Sequence, residues 1–168
     1  MAVTVDDIVK VANQNGIDNW RTFDRMKTVT TGEPDGTLHK LLWEAFRAGK
    51  LDLGAMQNSW WELGQYPQHF DGSDFVRLLE AIAKHYSTQQ SYNQPWSSDD
   101  MPGWPYNFDN IFDAKNGDPN FYKQVAKKWS TLPDPYDRAL GFRLAARGAI
   151  DASDLPSDML EETAAHYL

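Results

Sequence analysis

Several apolar stripes of helical period in this chain end at a glycine or a turn cluster, and several begin behind a short polar residue or an Asp-Pro pair. No alternating apolar-polar run of useful length occurs, so the pattern selects helices over sheets. The first stripe starts near Thr4 or Asp6, carries Ile8, Val9, Val11 and Ala12, and stops at Asn15-Gly16. Asp18 is placed to cap a short second helix over 19–27, with Trp20, Phe23 and Met26 three residues apart on one face. The cluster TTGEPDG over 30–36 reads as a turn. A stronger helix over 37–48 buries Leu41, Leu42, Ala45 and Phe46 before Gly49.

Residues 51–70 are less regular, with a short helix expected over 55–63 that puts Met56, Trp60 and Leu63 on one face. The clearest stripe follows, capped by Asp71 or Ser73 and carrying Phe75, Val76, Leu78, Leu79, Ile82, Ala83 and Tyr86. Asp118-Pro119 and Asp134-Pro135 each set an acidic cap before a proline at the first helical position. The helix after Asp118 is expected to bury Phe121 or Tyr122, Val125, Ala126 and Trp129, and the one after Asp134 stops at Gly148. A last helix covers about 156–167. Asn15–Asp18, Ala48–Asp52 and Arg147–Asp151 share one grammar: glycine, an aliphatic residue and then Asp. Their uneven spacing makes them helix-to-helix turns and not a stacked repeat. The expected fold is mainly α, a single compact helical domain of six or seven helices.

One stretch interrupts that order. Residues 91–113, SYNQPWSSDDMPGWPYNFDNIFD, have neither helical nor strand period and contain Pro95, Pro102 and Pro105. They also carry Tyr92, Trp96, Trp104, Tyr106, Phe108 and Phe112, more aromatic surface than a disordered linker holds. The expectation is a long ordered aromatic loop lying across a helical body.

Charge narrows the functional classes. The formal net charge is −8, with residues 51–100 and 151–168 each at −5. That balance disfavours direct binding to a phosphate backbone and favours a basic protein partner. The chain contains no cysteine, which removes disulfides, thiolate metal sites and a thiol nucleophile. No signal peptide and no apolar run of membrane-spanning length is evident, so a cytoplasmic location is expected.

Signatures of catalysis are sparse. His39, His69, His85 and His166 form no HExxH pattern and no pair four residues apart. Nucleotide-cradling glycine motifs and a GxSxG elbow do not occur. The oxygen-rich segment 109–120 fails the calcium-loop test, because Gly117 at loop position 6 would put Phe112 and Ala114 at ligand positions. Glu44, Glu62 and Glu80 read as charged positions at helix edges. The pattern calls for no metal and no cofactor.

Aromatics therefore carry the functional expectation. Trp60 and Trp61, about 100° apart on a helix, cannot share a face, and Trp61 is the one directed away from Met56 and Leu63. Tryptophan and tyrosine are enriched among residues that dominate interfaces. The expected function is that of a non-enzymatic acidic module, of inhibitor, immunity or adaptor type. It binds another protein through Trp61, Trp96, Asp99, Asp100, Trp104 and Tyr106. The alternative is a small enzyme acting on a polar or sugar-like substrate, with His69 or His85 and a carboxylate beneath an aromatic wall. A third possibility is mimicry of nucleic acid by the acids of 51–100 and 151–168.

Overall fold

The computed structural model describes residues 2–56, 59, 62–87, 111, 114–115 and 118–129. Five α-helices lie there: α1 (Val5–Asn15), α2 (Trp20–Val29), α3 (Thr37–Arg47), α4 (Gly72–Ser87) and α5 (Pro119–Trp129). Short 3-10 turns at Leu53–Ala55 and Pro67–His69 join α3 to α4. No strand occurs among the described residues, and the protein is mainly helical. No helix there is long and apolar enough to cross a membrane. The aromatic stretch 91–110, the expected helices beyond 130 and the Arg147–Asp151 turn lie outside the described residues.

Four of the five helices begin where polar side chains satisfy free amides; α3 begins at Gly36 without a side-chain cap. Thr4 and Asp7 form a reciprocal capping box: the Asp7 amide donates to Thr4 Oγ1, and the Thr4 amide donates to Asp7 Oδ2 at 2.8 Å. Those bonds from Thr4 hold the Asp7 carboxyl below the usual carboxylate range. Asp71 and Asp74 repeat the device at α4, each amide donating to the other's carboxylate at 2.9 Å. Asp118 accepts from the Phe121 amide ahead of α5, with Pro119 at the first helical position. At α2 the cap is Asn19, which accepts from the Arg21 amide, and not Asp18.

Helix ends follow the same logic. After α3 the Lys50 amide donates to Ala45 O and the Gly49 amide to Phe46 O, closing the last turn with Gly49 at φ 71°. Leu51 then turns into the core and Asp52 caps the 3-10 turn through the Gly54 amide. This 3-10 turn ends at Ala55, where the helix expected over 55–63 would begin, and part of that helix lies outside the described residues. Met56 and Leu63 are buried as expected, while Trp60 and Trp61 lie outside the described residues.

The apolar faces meet in one core that draws on all five helices. Ile8, Val11, Phe23, Met26, Leu42, Trp43, Leu53, Leu63, Phe70, Phe75, Leu78, Ile111, Phe121, Tyr122 and Val125 belong to it. Trp43 stacks on Phe70 with centroids 4.8 Å apart, and Phe121 meets Phe70, Phe75 and Tyr122 in turn. One face expectation fails. Residues three apart drift by about 60° per step on a 3.6-residue helix. Met26 and Phe23 therefore point inward, and Trp20, two steps away, is 61% exposed with Arg21 over its ring.

Two charged residues tie the non-helical segments down. Arg47 grips Asp74 through Nε and Nη2 at 2.9 and 2.8 Å and also donates to the His69 carbonyl. Burial raises the Asp74 carboxyl, but the Arg47 hydrogen bonds and charge and the Asp71 amide outweigh it and leave it below the usual range. Lys115 is buried, with Nζ 2.6 Å from Pro67 O and over the Phe70 ring at 4.3 Å. It pins the Pro67–His69 turn to the entry of α5. Its desolvation lowers the ammonium below the usual lysine range.

Candidate functional site: a buried histidine and carboxylate beneath Tyr66

His39 sits on the first turn of α3, next to Leu38 and one turn before Leu42 and Trp43, so the face that builds the core also turns its imidazole inward. It is 6% exposed, and its Nε2 has no hydrogen-bond partner. The Tyr66 ring lies over it at 4.6 Å and Phe23 meets it edge-on at 6.1 Å. Glu62 is 4% exposed, and its Oε2 stands 4.0 Å from His39 Nε2, beyond hydrogen-bond reach. The other carboxylate oxygen of Glu62 accepts from Lys27 Nζ at 3.1 Å. Lys27, half exposed on α2, also stands over the Phe23 ring.

Burial pushes the His39 imidazole below its ordinary value, against the pull of the Glu62 charge and backbone carbonyl, with Lys27 and His69 adding to the depression. His39 is therefore neutral at pH 7, between a carboxylate and two aromatic rings. Gly36 makes the arrangement possible. Its φ is 84°, and a Cβ there would fall 2.7 Å from the Tyr66 ring, so only glycine lets Tyr66 lie across the start of α3.

Above this pair is a depression of about 230 Å³. Glu33, Asp35 and Glu62 line it against one ammonium, Lys27, together with Gln65 and Tyr66. Glu33 is steadied by the Val3 amide at 3.0 Å. A second depression of about 310 Å³ lies beside His69, among Lys40, Glu44, Arg47, Asp71 and Asp74. The His69 and Tyr66 rings are 6.4 Å apart. Burial and the nearby Lys40 push the His69 imidazole down as well. Here, however, Arg47 and Asp71 engage Asp74, so that carboxylate is committed to the fold.

The partner-binding residues expected from sequence, Trp61, Trp96, Asp99, Asp100, Trp104 and Tyr106, lie outside the described residues, as does His166. His85 falls in α4. Glu62, expected at a helix edge, is instead a buried partner of Lys27, because residues 35 positions apart meet in the fold. His39 stood in the sequence only as one of four histidines without a catalytic pattern, and nothing near it announces Glu62 or Tyr66. Among the described residues no group of three or more acidic or histidine side chains is arranged to hold a metal ion. Comparison with known proteins finds no family model, no curated protein and no solved structure that matches this chain.

Proposed function

We propose that this protein is a non-enzymatic acidic binding module, acting in the cytoplasm, that captures a basic segment of another protein. The observation that supports this reading is the depression above His39, where three carboxylates, Glu33, Asp35 and Glu62, face one ammonium. An arginine or lysine side chain entering beside Tyr66 would meet complementary charge and an aromatic surface together. The aromatic residues Trp61, Trp96, Trp104 and Tyr106, with Asp99 and Asp100, are proposed to extend the contact. Elsewhere many carboxylates already serve the fold: Asp7, Asp52, Asp71 and Asp118 cap helices or turns, and Asp74 holds Arg47.

The test is calorimetric titration with an arginine-rich peptide at near-physiological salt. Glu33→Gln with Asp35→Asn should weaken binding about tenfold, near 1.4 kcal/mol. The charge-matched control Asp24→Asn with Glu80→Gln should change it little. Equal weakening by both pairs would reduce the interaction to non-specific attraction and defeat the reading.

A second reading, a small enzyme on a polar or sugar-like substrate, is favoured by one feature: His39 offers an unpartnered Nε2 near the Glu62 carboxylate. Substrate screening with His39→Gln and Glu62→Gln addresses it, and activity retained by both variants would dismiss it.

A further inference from the structure

A buried imidazole with an unpartnered nitrogen is stable only while it is neutral. His39 can accept a proton only if the resulting cation gains water or a carboxylate. The charged and titratable groups around it come from each packed element. Lys27 faces it from α2, Glu62 from the segment before Tyr66 and His69 from the 3-10 turn, with Glu33 and Asp35 at the rim of the depression. The nearest carboxylate, Glu62, is already engaged by Lys27. A new ion pair with His39 would require breaking or sharing that contact and closing a 4.0 Å gap.

Water has an easier route. Phe23, on one side of the imidazole, is buried, but Tyr66, on the other, is only partly buried and stands in a short connection. It precedes the 3-10 turn and makes no side-chain cap there. Beneath its ring is the bare face of Gly36, so the ring can lift without disturbing an interlocked side chain at that position. The Gln65 and His69 amides, which donate to Glu62 O and Tyr66 O, hold the connection in place.

We infer that Tyr66 is an acid-released cover: protonation of His39 lifts the ring and exposes His39 and Glu62, at the floor of the depression, to solvent. This concerns access to the depression, and it stands whichever ligand or partner enters. The linkage sign agrees. A histidine depressed in the folded state contributes stability above its unfolded value of about 6.5, and that contribution is lost as pH falls through the folded value.

Hydrogen exchange at the Gln65 and His69 amides, corrected for intrinsic rates, tests the inference. Protection should fall about tenfold or more between about pH 7 and pH 5 in the natural chain. His39→Gln should abolish the change, whereas His69→Gln should retain it. PH-independent protection, or a change that persists in His39→Gln, would overturn the inference. An NMR titration of the His39 ring supplies a readout that needs no altered histidine. Its midpoint should lie below about 6.5 and should rise towards that value in Tyr66→Ala. A midpoint at or above the ordinary value in the natural chain would mean that His39 pairs with Glu62 and the cover stays shut.

Discussion

Lys27→Met removes one charge from the site while keeping most of the stem that packs against Phe23. In the natural chain Nζ stands 3.1 Å from Glu62 Oε1, with the lysine side chain 49% exposed and the glutamate 6%. Coulomb's law gives about 5 kcal/mol at that distance for an effective dielectric near 20, and about 1 kcal/mol for bulk water. A half-exposed ammonium falls towards the lower figure, so the loss is about 2 kcal/mol. For a chain of this size that lowers Tm by about 4–8 °C near neutral pH.

The pH dependence carries the sharper test. Lys27 helps to depress His39, so without it the imidazole protonates more readily and supplies Glu62 with a replacement cation. The gap in Tm between natural and variant chains should therefore narrow as pH falls through about 6.5. Thermal unfolding followed by circular dichroism from about pH 8 to pH 5 reads both effects. A variant within about 1 °C of the natural chain at neutral pH, or a gap that widens on acidification, would refute the electrostatic account of the site.

Two further outcomes follow from the packing. A Cβ at Gly72 would come within 2.9 Å of Phe121 O and 2.8 Å of Gln124 Cβ, where α5 crosses the start of α4. Gly72→Ala should cost about 1–3 kcal/mol in chemical denaturation despite alanine's better helix propensity, and Gln124→Ala, which keeps that Cβ, should not rescue it. Asp74→Asn removes the carboxylate that caps α4 and holds Arg47, costing about 2 kcal/mol at neutral pH. Since Asp74 is depressed when folded, its contribution is present above its unfolded value of 3.8 and lost as pH falls below that. The difference between natural and variant stability should vanish in that acid range, and a difference that persists there would contradict the assignment.

Local rules made much of the helical frame legible. Thr4, Asp71, Asp118-Pro119 and Gly49 act through neighbours within a few residues, and each appears where the sequence placed a start or a stop. Asp18 and Asn19 are both competent caps, and only the backbone geometry selects Asn19. Trp20 misled because spacing by three drifts steadily around a helix, a small error for Phe23 and a large one over two steps. The site itself was hidden for a different reason. Glu62, Lys115 and His39 are buried through partners 16 to 48 residues away, and no periodicity encodes such meetings. Lys115 sits in a turn-like run where a lysine reads as surface, yet its ammonium holds carbonyls from the segment that leads into α4.

The claim that the depression above His39 receives a basic side chain is tested most directly by mapping amide shifts as an arginine-rich peptide is added to isotopically labelled protein. The account predicts perturbations concentrated at Glu33, Asp35, Thr37, His39, Gln65 and Tyr66 and lost in Glu33→Gln with Asp35→Asn. Perturbations spread over the acidic surface, or centred elsewhere and unchanged in that variant, would contradict it.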